Sequence, residues 1–103
     1  MGYYSSLTVV PSINARIPMN DDLNREIKKL KYSNDLEFDQ DGHCSEISND
    51  ERKNYDDEEL AKIISKYLTE GQIQLEYFGE DEQWGLRITP NKVIKLKAVL
   101  IPE

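Results

Sequence analysis

The spacing of apolar residues changes at Gly71, and this change limits the folds that the chain can adopt. Before Gly71 the apolar residues recur at the interval of one helix face, and they are Leu60, Ile63, Ile64, Tyr67 and Leu68. After Gly71 apolar and polar residues alternate in three runs, and the apolar members are Ile73, Leu75 and Tyr77, then Trp84, Leu86 and Ile88, then Ile94, Leu96, Ala98 and Leu100. A helix followed by three consecutive strands favours an α+β fold over a doubly wound α/β fold.

Short turns separate the three runs, at Gly79-Glu80-Asp81-Glu82 and at Pro90-Asn91. Because connections of this length join antiparallel neighbours, the runs are predicted to form a C-terminal three-strand meander with one face packed on helices. The opposite face would then carry polar side chains, namely Gln72, Gln74, Glu76, Arg87, Thr89, Lys95 and Lys97.

The sequence predicts further strands in the N-terminal half. Residues 4–10 mix β-branched and aromatic residues and are followed by Pro11, which is typical of a strand and its end. Residues 36–38 resemble a short strand, 39–42 supply turn residues, and 44–47 are the expected return strand of a hairpin.

Two helices are predicted from amphipathic spacing and from residues that suit their ends. The first covers roughly 21–31, with Asn20 as its N-cap. The second begins at Asp56, which together with Glu59 resembles a capping box, and it ends before Gly71, a residue suited to a left-handed C-terminal cap.

The length of 103 residues is sufficient for one hydrophobic core. The whole chain, 1–103, is therefore predicted to be a single α+β domain, an antiparallel sheet with two helices packed on one face.

Thirteen Lys and Arg residues against twenty Asp and Glu residues give a net charge of −7. Such a charge repels phosphates, so neither nucleic acid nor a membrane surface is expected as a direct partner.

Cysteine use and hydropathy predict a cytoplasmic protein. Cys44 is the single cysteine, so no internal disulfide can form, which fits a reducing compartment. No apolar run approaches the length that crosses a bilayer, and residues 1–10 lack the basic and apolar regions of a signal peptide.

Acidic residues are concentrated in the segment from Asp35 to Glu59. It holds eleven acidic residues and two basic ones, a local net charge of −9. One interpretation is a solvated connector that keeps the protein soluble. The other is a docking face for a basic partner, whose association would slow as salt increases.

A second acidic group, Glu80-Asp81-Glu82, lies just before the aromatic residue Trp84. An aromatic side chain with a charged rim is a common arrangement in protein interfaces, and Tyr55 is a further candidate because it lies outside the periodic apolar faces. The predicted partner-binding residues are Asp39, Asp41, Tyr55, Asp56, Asp57, Glu58, Glu59, Glu80, Asp81, Glu82 and Trp84.

A calcium loop is a weaker alternative for part of this segment. Glu37, Asp39, Asp41 and Gly42 occupy the first, third, fifth and sixth places of an EF-hand register. The twelfth place is Ser48, whereas an EF-hand requires a bidentate Glu there. No metal or other cofactor is therefore expected.

Catalysis has no clear sequence signature in this chain. His43 and Cys44 are adjacent, but a nucleophile needs a base that a third group orients through space. The acidic residues lie in hydrophilic sequence, where solvent weakens any shift of their acidities, and no phosphate-binding loop or nucleophile elbow occurs. We expect a protein that is not an enzyme.

Three short motifs resemble small uncharacterised proteins encoded by phages and prophages: the opening Met1-Gly2-Tyr3, the helix start Tyr55-Asp56-Asp57-Glu58-Glu59, and the hairpin with Gly79-Glu80-Asp81-Glu82 and Trp84. In that group an aromatic residue precedes the Tyr-Asp pair and a histidine follows it. Here Asn54 precedes Tyr55 and Asp57 follows Asp56. The resemblance implies a bacterial host cytosol and an anti-CRISPR or other anti-defence inhibitor, and it transfers no catalytic residue.

These features together predict a non-enzymatic protein-binding module. The expected partner is a larger basic host protein or nucleoprotein, which the chain would inhibit by covering its basic surface. An immunity protein that neutralises a basic toxin is the alternative, and a gene pair with such a toxin would distinguish the two. The sequence leaves the oligomeric state open.

Overall fold

The described part of the chain contains two helices and seven strands. The computed structural model describes residues 5–46, 55–79, 83–98 and 101–102. In chain order the elements are β1 Ser5–Pro11, α1 Asn20–Ile27, β2 Leu36–Phe38, β3 Cys44–Glu46, α2 Asp57–Tyr67, β4 Ile73–Gly79, β5 Gln83–Thr89, β6 Lys92–Ala98 and β7 Ile101–Pro102. Neither helix in these ranges is long and apolar enough to cross a membrane.

Five strands form one antiparallel sheet in the order β1-β4-β5-β6-β7, and β2 pairs with β3 in a separate hairpin. The α+β class and the meander of β4, β5 and β6 are therefore confirmed. The sequence did not indicate where β1 would pair, and the structure places it along β4, with Leu7 opposite Tyr77.

The core lies between α2 and one face of the large sheet. Helix α2 packs against β5 and β6, and α1 packs against α2 and β2. Leu60 and Ile64 of α2 are fully buried, as are Leu23 and Ile27 of α1. The facing pairs of the sheet are Ile73 with Ile88, Leu75 with Leu86, and Tyr77 with Trp84.

Strand β6 presents the opposite face from the one predicted. Val93 lies opposite Ile88 and Lys95 opposite Leu86, so Val93 and Lys95 are on the helix side of the sheet. The prediction that Lys95 points away from the helices was wrong. The apolar alternation from Ile94 favours the other face, but the two-residue turn before the strand sets the register instead.

The helix ends also differ from their predicted caps. Helix α1 ends at Ile27 rather than near 31, and Asn20 does not cap it, because its side-chain amide donates to the carbonyl of Phe38 at 3.1 Å. Asn24 binds the same residue twice, accepting from its N–H at 2.8 Å and donating to its carbonyl at 2.9 Å. Both asparagines therefore attach the β2 strand to α1.

Glu26 connects the two helices. Its carboxylate accepts hydrogen bonds from the Lys66 ammonium at 2.8 Å and from the Tyr67 hydroxyl. The hydrogen bond from Lys66, followed by that from Tyr67, lowers the pKa of Glu26 from its ordinary value of 4.5. The same contacts raise the pKa of Tyr67 and of Lys66, with the Glu26 hydrogen bond as the main cause for each.

Acidification is expected to destabilise the fold partly through Glu26. Because its pKa is lower in the folded state, its contribution is complete above the ordinary glutamate pKa and is lost as the pH falls through the folded-state value. Glu26→Gln should therefore lose less unfolding free energy than the wild type over that acidic range in urea titrations, and Tyr67→Phe should be intermediate. Identical pH curves for the three proteins would contradict this role.

Candidate functional site

Trp84 joins the sheet to the start of α2. Its indole N–H donates to the Asp57 carboxylate at 2.8 Å. A partly buried indole requires such an acceptor, and Asp57 is the first residue of the helix. The second oxygen of Asp57 accepts the backbone N–H of Glu58 at 2.8 Å, so both oxygens of the carboxylate have partners.

The position of Trp84 depends on its neighbour across the sheet. Tyr77 lies directly opposite it on β4, and the two rings stack with centroids 5.1 Å apart and planes 8° from parallel. Tyr77 is fully buried, whereas Trp84 is only half-buried. The ring of Trp84 therefore rests on the core and keeps part of its surface accessible.

Glu58 forms a salt bridge with Lys95 of β6. Its carboxylate lies 3.1 Å from the ammonium group of Lys95, and both side chains are about half exposed. An ion pair this exposed stabilises a fold by about 0–1 kcal/mol, so it opens at little cost. A pocket of about 160 Å³ lies here, lined by Asp57, Glu58, Trp84, Gly85, Leu86, Lys95 and Leu96.

Tyr55 lies two residues before the first residue of α2. The residue is 50% exposed, and its ring makes an edge contact with the ring of Tyr32, with centroids 5.2 Å apart and planes at 78°. Glu59 is exposed on the first turn of α2. We call Tyr55, Asp57, Glu58, Glu59 and Trp84 together the helix-start surface.

Asp56 has a different role from its neighbours. It is 5% exposed, and its carboxylate accepts the N–H of Tyr32 at 2.8 Å, the N–H of Ser33 at 3.2 Å and the hydroxyl of Ser33 at 2.7 Å. It makes no side-chain bond to the start of α2, so the predicted capping box is wrong. Asp56 stabilises the loop before β2, and its burial removes it from the predicted docking residues.

The predicted docking residues Asp39 and Asp41 lie apart from the helix-start surface. Both are exposed at the turn between β2 and β3, where Asp41 pairs with Arg16. The carboxylate of Asp39 accepts the N–H of Asp41 at 2.8 Å and that of His43 at 3.0 Å, which shapes the turn.

The β2–β3 turn packs near the Ile73 end of β4, whereas Trp84 stacks on Tyr77 towards the opposite end of this strand. A Cβ on Gly42 would lie 3.0 Å from the side chain of Ile73. Ile73 and Tyr77 are four residues apart on the strand, which corresponds to about 13 Å. The acidic segment that looked continuous in sequence is therefore divided between two places in the described part of the chain.

Three predicted docking residues, Glu80, Asp81 and Glu82, lie outside the described residues. Sequence reasoning missed Lys95 and Tyr32, which contact Glu58 and Tyr55. The signal for Lys95 was the turn at 90–91, because a two-residue hairpin pairs Thr89 with Lys92 and so places Lys95 beside Leu86.

Within 5–46, 55–79, 83–98 and 101–102, no cluster of three or more His, Cys, Asp or Glu side chains is arranged to hold a metal ion. His43 is exposed, and one oxygen of the Asp39 carboxylate, in the suggested calcium loop, accepts two backbone N–H groups. No family model, curated protein or solved structure matches this chain.

Proposed function

We propose that this protein is a non-enzymatic inhibitor that binds a basic surface of a larger host protein or nucleoprotein through its helix-start surface. The hydrogen bond from the Trp84 indole to Asp57 supports this proposal most directly. It brings together an aromatic ring and an acidic helix start that are 27 residues apart in sequence. Aromatic side chains with a charged rim are characteristic of binding surfaces.

The chemistry of the helix-start surface suits an arginine or lysine side chain of the partner. The carboxylates of Glu58 and Glu59 attract the cation, and the accessible part of the Trp84 side chain offers aromatic surface that the cation can contact. The pocket beside Trp84 provides room for the end of such a side chain. Binding of this kind covers a positive surface that would otherwise contact phosphates.

Lys95 occupies the position that a partner's cation would take. Its pair with Glu58 neutralises part of the surface while the protein is free, and the pair is exposed enough to exchange for an intermolecular one. The resemblance to phage and prophage proteins adds the expectation that the partner is a host defence factor. An anti-CRISPR protein would be one such inhibitor.

Neutralising the helix-start surface is expected to slow association with the partner. The triple variant Asp57→Asn, Glu58→Gln, Glu59→Gln should reduce the association rate by about tenfold at low salt, the lower end of what electrostatic steering provides. The difference from the wild type should shrink in high salt, where screening shortens the range of charge interactions. Capture of the partner from host lysate, followed by surface plasmon resonance, measures both effects.

A charge-matched triple variant at the other acidic place is the control. Glu37→Gln, Asp39→Asn, Asp41→Asn removes the same number of charges from exposed positions around the β2–β3 turn. It should retain association close to the wild-type rate if docking is local to the helix-start surface. Equal slowing by both triples would indicate a general charge effect and would contradict the proposed site.

Removing the internal cation is expected to strengthen binding. Lys95→Gln frees Glu58 and makes the surface more negative, so affinity for the basic partner should increase by several-fold, corresponding to about 0.5–1 kcal/mol for an exposed pair. The matched control is Lys62→Gln, which removes one exposed positive charge as well, but from α2. It should increase affinity less. A weaker complex with Lys95→Gln would show that Lys95 itself contacts the partner.

A further inference from the structure

The two edges of the large sheet differ in how they are protected. At one edge β7 is two residues long and ends in Pro102, and short strands and prolines prevent further pairing. At the other edge β1 is seven residues long and pairs with β4 from Ser5 to Pro11. No other strand in the described part of the chain pairs with its outer side.

Strand β1 also lacks the charges that usually protect an edge. Its sequence is Ser-Ser-Leu-Thr-Val-Val-Pro, and no residue among 1–15 has a charged side chain. Charged residues are otherwise common, at 32% of the chain. A long edge strand of β-branched residues without lysine is a template for pairing with another strand.

The side chains of β1 leave apolar surface on both faces of this edge. Leu7 and Val9 are half-buried against the core, on the side of the sheet that carries the helices. On the opposite side Thr8 is exposed and Val10 is 45% exposed. A strand added to this edge would complete the burial of Leu7 and Val9.

We infer that β1 pairs with β1 of a second copy of this chain, in antiparallel register around Thr8. In this register Leu7 lies opposite Val9 of the second copy, and the two helix-bearing faces are on the same side. A two-fold axis relates the copies, and the two five-stranded sheets become one.

The charge distribution favours a second copy as the occupant of this edge. Two molecules that each carry a net charge of −7 repel one another least where both are uncharged, and β1 is such a place. A basic partner finds no carboxylate on β1. The dimer also leaves the helix-start surface free, because α2 lies over β5 and β6, on the far side of β4 from β1.

Paired charge variants at Thr8 test the inference. Thr8 is exposed and lies opposite Glu76 on β4, so Thr8→Lys is compatible with the monomer fold. In the dimer it places two lysines opposite each other at the two-fold axis, where like charges destabilise pairing. Thr8→Glu does the same with two carboxylates, and it also lies opposite Glu76 of its own chain, so some loss of monomer stability is expected for this variant. Circular dichroism and urea unfolding check that each variant is folded.

Sedimentation velocity over a wide concentration range should show the wild type at twice the chain mass of 12.0 kDa. Each Thr8 variant alone should sediment as a monomer, and an equal mixture of the lysine and glutamate variants should return to the dimer mass. A monomeric wild type at all concentrations overturns the inference. Variants that remain dimeric alone, or a mixture that remains monomeric, overturn pairing around Thr8.

Discussion

Gly71→Ala should be among the most destabilising single substitutions in this protein. Gly71 has φ of +74°, a backbone conformation that costs an alanine about 1–2 kcal/mol. Its new methyl group would lie 2.5 Å from the Ser12 hydroxyl oxygen and 2.7 Å from the backbone nitrogen and Cα of Ala15. We expect a loss of about 4 kcal/mol or more of unfolding free energy, or failure to fold.

The clash at Gly71 cannot be relieved cheaply, because the neighbouring loop is held in place. The N–H of Ser12 donates to the carbonyl of Gln72 at 2.8 Å, and the Ser12 hydroxyl accepts the N–H of Gln72 at 2.9 Å. On the other side, the N–H of Arg16 donates to the carbonyl of Glu70 at 3.1 Å. Movement of the loop would break these bonds.

Gly42→Ala is the matched control for Gly71. Gly42 also has a positive φ, of +83°, but its new methyl group would approach side-chain carbons, the nearest being that of Ile73 at 3.0 Å. Side chains move more easily than backbone, so Gly42→Ala should cost less in chemical denaturation. A smaller loss at Gly71 than at Gly42 would contradict the importance of the close approach to Ser12 and Ala15.

Asp56→Ala is expected to destabilise the fold by about 3 kcal/mol. It removes a buried carboxylate and leaves three donors of Tyr32 and Ser33 without their acceptor, two of them backbone N–H groups. Urea unfolding followed by Trp84 fluorescence measures the change. Glu59→Ala, which replaces an exposed acidic residue in the first turn of α2, should change the unfolding free energy by less than about 0.5 kcal/mol.

A double-mutant cycle separates the parts of the Asp56 interaction. Ser33→Ala removes the buried hydroxyl donor and should cost about 1 kcal/mol alone. Combined with Asp56→Ala it should cost less than the sum of the two, because the same hydrogen bond is lost only once. Additive losses, or an Asp56 variant as stable as the Glu59 control, would show that Asp56 does not organise this loop.

Local patterns were sufficient for most of the architecture. Alternating residues from Ile73 to Ile88 belong to strands whose two faces differ clearly in polarity, so β4 and β5 were predictable in extent and orientation. The spacing from Leu60 to Leu68 likewise predicted α2. These elements follow from periods of two and 3.6 residues, which neighbouring residues alone establish.

The same reasoning failed where contacts between distant residues override the local pattern. In β6 the apolar alternation starts at Ile94, and the set from Val93 continues with Lys95, yet pairing with β5 through the turn at 90–91 places Val93 and Lys95 on the helix side. Asp56 and Asn20 have side chains that cap helices well, but each binds a distant backbone group instead. Hydrogen bonds between residues far apart in sequence are not indicated by the pattern of neighbouring residues.

The sequence predicted which residue types the candidate site contains, but it did not predict the contacts between them. The sequence indicated acidic residues and an aromatic residue suited to binding a basic partner, including Asp57, Glu58, Glu59 and Trp84. It did not indicate that Trp84 contacts Asp57, that Asp56 is buried, or that Asp39 and Asp41 lie elsewhere.

Composition and periodicity, which are properties of neighbouring residues, determined the α+β class, the meander and the negative charge. The tertiary structure alone decided the pairing of β1 with β4 and the face presented by β6. It also decided which acidic residues remain exposed. These outcomes depend on contacts between residues far apart in sequence, whose energies become available only when the chain has folded.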